Sequence, residues 1–172
     1  MSEKISSIAR NTSYFTLALV IQKIISLAYF TIYARVLGPA DLGQYYFAIS
    51  ITSIFSIFID FGLGNVITRE VAKHPSKASS LFSNALSIKL IFSVITILAL
   101  VIWTNTWHYQ SLTRDLIYIA ALVMIFDNFT NIGYAILRGF HNLKFESIAS
   151  VTFQAIVLVF SLVVISAGLD IR

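Results

Sequence analysis

Apolar residues fill five long stretches of the chain, about Thr12–Val36, Leu42–Val66, Ser79–Thr104, Asp115–Leu137 and Phe145–Gly168. Each is near the ~20 residues, or about 30 Å of helix, needed to cross the hydrocarbon core of a bilayer. Residues 90–113 and 147–169 contain no Asp, Glu, Lys or Arg at all. The pattern predicts an all-α membrane protein with a single transmembrane domain over residues 1–172.

Polar residues inside these stretches recur at helical spacing. Thr12, Thr16, Lys23 and Ser26 share one face of the first helix, and Ser50, Ser53, Ser56 and Asp60 one face of the second. Lys89, Ser93 and Thr96 do so in the third, Asp127, Thr130, Asn131, Tyr134 and Arg138 in the fourth, and Ser147, Ser150, Gln154 and Ser161 in the fifth. Four charges fall within spans: Lys23, Asp60, Lys89 and Asp127. At the bilayer centre each costs about 2.5–3.5 kcal/mol on insertion scales, so the stripes are expected to face a shared polar interior. Two readings of the charges stay open. Lys–Asp pairs between helices serve packing, or Lys23 and Lys89 offer cations to an anionic head group while Asp60 or Asp127 pairs with them or carries a coupling ion.

Composition supports the membrane reading. The chain is 58% hydrophobic and 12% charged, with a mean hydropathy of +0.84, which leaves too little charge for a water-facing surface. The net charge of +4 lies mainly in the segments between spans and is no nucleic-acid footprint. With the N-terminus inside the cell, Lys4, Arg10, Arg69, Lys73, Lys77, Arg138 and Lys144 are cytoplasmic. Arg35, Arg114 and Arg172 are outside, and seven against three favours that orientation. Trp103, Trp107 and Tyr109 then lie at the outer interface. There are no cysteines, which excludes disulfides, thiol catalysis and thiolate metal sites. His74, His108 and His141 fall in three separate loops on both sides of the membrane and cannot share a metal. The triplet Asp60-Phe61-Gly62 lacks the glycine-rich loop and catalytic-loop partners that would make it a kinase motif. No enzyme activity, cofactor or metal is expected.

Between the first two spans runs ARVLGPADLGQYY, residues 34–46. Gly38-Pro39 cannot continue a helix, Pro39 suits the first position of a new one, and Asp41 faces its positive end. The spacing alone predicts helix, tight turn, helix. The residues Arg35, Gly38, Pro39, Asp41 and Gly43 resemble the "AR-x-LGP-x-D-x-G" signature of polysaccharide-biosynthesis (oligosaccharide flippase) proteins. These belong to the superfamily that also holds multidrug exporters. Asp60-Phe61-Gly62-Leu63 followed by Arg69-Glu70 looks like that family's "D-x-GL…R-E" continuation.

The resemblance implies a transporter in the cytoplasmic membrane, multi-pass with its N-terminus inside, moving polyprenyl-diphosphate-linked oligosaccharide by alternating access between two lobes. Its partners would be the lipid-linked oligosaccharide, membrane lipids and polysaccharide-assembly proteins. Family members have roughly twelve to fourteen helices, so five helices would form most of the N-terminal lobe, and the chain is expected to be a fragment inactive alone. A cation-coupled multidrug exporter of the same superfamily is the nearer alternative, and a non-transporting membrane assembly subunit the more distant one.

The orientation is checked with single cysteines and a membrane-impermeant thiol reagent, since the native chain has no thiol. Ser111→Cys is expected to label from outside and Ser76→Cys to be protected; the opposite result reverses the topology.

Overall fold

Gly38 interrupts what would otherwise be one helix from the N-terminus to Asp60. The computed structural model describes residues 2–167, with side chains from residue 12 onward, so Lys4, Arg10 and Arg172 of the charge asymmetry lie outside the described side chains. Helix α1 is Ser2–Asp60, and within it Gly38 alone leaves helical geometry, at φ 75° and ψ 172°. That φ is open to glycine because there is no Cβ to clash. Pro39 opens the second limb, where a missing N–H leaves no bond unmade. The apolar part, Thr12–Asp60, has 49 residues. At 1.5 Å per residue it would measure about 74 Å as a straight rod, more than twice a hydrocarbon core. The break at Gly38 therefore separates two limbs, each long enough to cross.

The remaining elements are α2 (Leu63–Lys73), a 3-10 turn (Pro75–Lys77), α3 (Ala78–Thr106), α4 (Ser111–Gly139) and α5 (Leu143–Ser166), with no strand among the described residues. Helices α1, α3, α4 and α5 are long and apolar enough to span a membrane. On α3, Lys89, Ser93, Thr96 and Thr104 are buried, whereas Ile91, Val94, Ile95, Leu98 and Ile102 are each more than half exposed. A helix that hides an ammonium and hydroxyls while turning isoleucines outward is solvated by hydrocarbon, not water. The protein is an all-α membrane protein.

The second apolar stretch departs from expectation. It was expected to stay helical to Val66, but α1 ends at Asp60 because Phe61 (φ 43°) and Gly62 (φ 79°) are both left-handed. The basic residues Arg69 and Lys73, expected in a loop, lie instead on α2. This helix is amphipathic. Leu63, Ile67 and Val71, at i, i+4 and i+8, join a core with Ala85, Ile132 and Ala135, and the charges fall on the other side.

The chain forms two compact units, one from the first limb of α1 with α5, the other Ala40–Phe140. In the first, Gln22 Nε2 donates to Ser150 Oγ (2.9 Å), Gln154 Nε2 donates to Ser26 Oγ (3.0 Å), and Tyr33 pairs with Ser161. Every pair is 128 residues apart. A constant offset means parallel helices, as two crossings in the same direction must be. Interhelical bonds of this kind average about 0.6 kcal/mol in membranes, so the ladder sets register more than it supplies stability.

In the second unit α2 runs beside the last two turns of α4. Thr68 Oγ1 donates to Ala135 O at 3.0 Å as well as to Gly64 O. Gly139 is the contact that lets the helices come this close: a Cβ there would lie 2.6 Å from Val71 Cβ and 3.0 Å from Thr68 O. Gly139→Ala is expected to destabilise the protein by about 1–3 kcal/mol through overpacking, and Val71→Ala in the same chain to recover most of the loss. Thermal unfolding in detergent measures both.

Candidate functional site

The second limb of α1 and α4 enclose a groove of about 440 Å³ within the Ala40–Phe140 unit. One part of its wall is polar: Thr52, Ser53 and Ser56 from α1, and Asp127, Asn128 and Asn131 from α4. The other part is apolar, with Leu116, Ile119 and Val123. The polar residues meet because each set occupies one helical face, 52/53/56 on one helix and 127/128/131 on the other. Asn128 is buried, and its Nδ2 donates both to Ser56 Oγ (2.9 Å) and to Met124 O (3.0 Å), closing the floor of the groove. Asp127, its neighbour in sequence, is exposed at the rim. Hydroxyls, amides and one carboxylate in a groove otherwise walled by hydrocarbon suit a polyhydroxylated or cationic ligand.

Beneath the groove sits the most heavily desolvated charge of the unit. Lys89, on α3, is 0% exposed. Its Nζ donates to Asp60 Oδ1 at 2.7 Å and to the carbonyl oxygen of Asn128 at 2.9 Å. Asp60 is the last residue of α1 and its side chain is 41% exposed. Its Oδ1 lies 3.8 Å from the position a Cβ on Gly64 would take, so the carboxylate stands beside the first turn of α2. Helix N-termini favour negative charge, and Gly62 caps α2 without a side-chain hydrogen bond. Asp60 thus answers two positive groups, the ammonium and the helix end.

The four in-span charges separate into different environments. Lys89 and Asp60 pair with each other. Asp127 faces the groove without an ion pair among the described residues. Lys23 is exposed on the first limb of α1, in a shallow hollow with Thr16, Leu19, Val20, Ile24 and Leu27. The stripe Thr12–Thr16–Lys23–Ser26 therefore does not act as one face: Ser26, with Gln22, turns toward α5, and Lys23 turns away. Asn128 is not among the residues that the sequence pattern singles out, although it is the residue that joins Lys89 to the groove. Its signal is a side-chain amide one position from an intramembrane acid. Thr68 carries no mark in the sequence pattern, and only the packing of α2 on α4 shows its use.

Comparison with protein families matches residues 8–172 to a family described as polysaccharide biosynthesis protein. The chain belongs to that family. Neither a curated protein nor a solved structure matches it. Members of the polysaccharide biosynthesis protein family are transporters rather than enzymes, and a transport role in polysaccharide synthesis is the coarse functional assignment. In this member, the two sequence signatures coincide with the two helix breaks. Gly38 and Pro39 form the first, followed by Asp41 and Gly43 in the opening turn of the second limb, with Arg35 exposed just before it. Asp60, Phe61 and Gly62 form the second, where the acid holds Lys89 and the two residues after it are left-handed.

The pair is asymmetric in burial, and so are the expected consequences of breaking it. Asp60→Ala strands an ammonium that water cannot reach; removing one partner of a buried pair costs about 3–5 kcal/mol, less here because Asp60 is partly exposed. Lys89→Met leaves a carboxylate that is already partly exposed and is expected to be the milder change. The double variant is expected to recover stability lost in Asp60→Ala. Folded yield and unfolding temperature in detergent check all three.

Proposed function

We propose that the protein works as a flippase, moving a polyprenyl-diphosphate-linked oligosaccharide across the cytoplasmic membrane during polysaccharide assembly. The observation that carries this reading is the polar groove between two helices that are otherwise largely aliphatic on their exposed faces. Sugar hydroxyls match Thr52, Ser53, Ser56 and Asn131 in hydrogen-bonding character, and a lipid tail can stay in the bilayer beside them. Family membership agrees with it.

The charges take separate parts in this scheme. Lys23 is exposed and has no ion-pair partner among the described residues, so its ammonium is available to a diphosphate. Lys89 is engaged on Asp60 and Asn128, and it reaches a head group only if that pair opens; its part otherwise is to hold α3 and α4 in place. Asp127, at the rim of the groove, is the acid available for a coupling cation. The N-terminus is cytoplasmic in this scheme, which puts Arg69, Lys73 and Lys77 on the side where the lipid-linked precursor and the assembly proteins would meet the transporter.

The test is leaflet-to-leaflet movement of a labelled lipid-linked oligosaccharide in proteoliposomes containing the full-length transporter. Positive charge is what a diphosphate requires in a site of low dielectric, so Lys23→Arg is expected to retain most of the activity. Lys23→Gln is expected to abolish it without lowering folded yield, since loss of an intramembrane charge eases insertion. Full activity in Lys23→Gln removes Lys23 from the mechanism, and no movement by the unmodified transporter removes the flippase reading itself.

A further inference from the structure

Helix α2 carries a surface that neither the groove nor the ion pair uses. Its Leu63–Ile67–Val71 face is fixed against α4, and the close approach at Gly139 holds it there. Val66, Arg69 and Lys73, at i, i+3 and i+7, occupy a second face turned away from that core, and all three are exposed. Phe61 precedes this face. It is 71% exposed, held in the left-handed region at φ 43°, and stacked on Phe92 of α3 with ring centroids 6.1 Å apart. Lys77, in the following turn, is exposed as well. Along the chain, the exposed residues change from aromatic and aliphatic (Phe61, stacked on Phe92, then Val66) to cationic (Arg69, Lys73, Lys77). On α2 the change from Val66 to Lys73 takes about 10 Å of helix, at 1.5 Å per residue.

We infer that this surface is a docking site for an anionic phospholipid of the bilayer, with the acyl chain along Phe61, Phe92 and Val66 and the head-group phosphate on Arg69 and Lys73. Charge complementarity selects the occupant. Glu70 lies 3.6 Å from Lys73, but Arg69 and Lys77 have no ion-pair partner among the described residues, which leaves net positive charge where the apolar residues end. A zwitterionic lipid would match the apolar end equally well and gain nothing at the cationic one. Because α2 is already seated on α4, no ordering of the helix is needed when the lipid binds. The site is independent of the transported substrate and of the flippase reading.

The experiment compares retention of phosphatidylglycerol and phosphatidylcholine by the detergent-purified full chain, read by native mass spectrometry. The unmodified protein is expected to prefer phosphatidylglycerol. Each cation removed, as in Arg69→Gln and Lys73→Gln, is expected to lower that preference about fivefold, with Arg69→Lys retaining it. Arg114→Gln, at the opposite end of the fold, is expected to leave it unchanged. High salt applied to the unmodified protein gives a reading that needs no variant, and is expected to reduce the preference. Equal retention of the two lipids, an undiminished preference in the double glutamine variant, or an equal loss in Arg114→Gln overturns the site.

Discussion

The ammonium of Lys89 has no exposed surface, and the helix that carries it is solvated by hydrocarbon. Such a group cannot be left to water, so the fold must bring acceptors to it. One comes from the end of α1, the carboxylate of Asp60, and one from the middle of α4, the carbonyl of Asn128. Three helices are thereby tied at one point. Coulomb attraction at 2.7 Å is strong in low dielectric but is set against a desolvation cost of similar size, so the pair contributes more to the choice of arrangement than to net stability. Any packing that separated α1, α3 and α4 would leave the ammonium unpaired, and that alternative is strongly disfavoured.

This constraint explains which parts of the fold were legible in the sequence. The stripe Lys89–Ser93–Thr96 was readable because a polar face among aliphatics has one sensible place to go, and it is buried in the structure. Gly38-Pro39 was readable because both residues are poor in a helix interior, and each leaves a local mark. The break at Phe61–Gly62 was not, since a phenylalanine in the left-handed region looks like any other apolar residue on a hydropathy scale. Helix α2 was hidden for a related reason: Ile67 and Val71 are scattered among Arg69, Glu70 and Lys73, and their pairing with Ile132 and Ala135 is long-range.

The site was legible in part. The four intramembrane charges could be found by cost alone, but not their partners. Lys23 and Lys89 look equivalent in sequence, each a lysine within an apolar span. In the structure one is exposed beside Leu19 and Ile24, and the other is enclosed and hydrogen-bonded. Helical periodicity ranks faces within one helix. It holds no information on which neighbour each face meets, and that decides whether a lysine is available to a ligand.

The ion pair and the groove are also mechanically linked. The groove lies between the second limb of α1 and α4, and a side-chain bond from Asn128 to Ser56 crosses its floor. Lys89 holds the backbone of that same Asn128 while Asp60 holds Lys89 from the end of the opposite wall. A shift of Asp60 would therefore be felt at Ser56, one helical turn away on the same limb, and at Asn128 through the lysine. The Asp60 side chain is 41% exposed, whereas that of Lys89 is fully enclosed. The two walls of the groove are thus joined through a contact whose acidic half is partly exposed and whose basic half is enclosed.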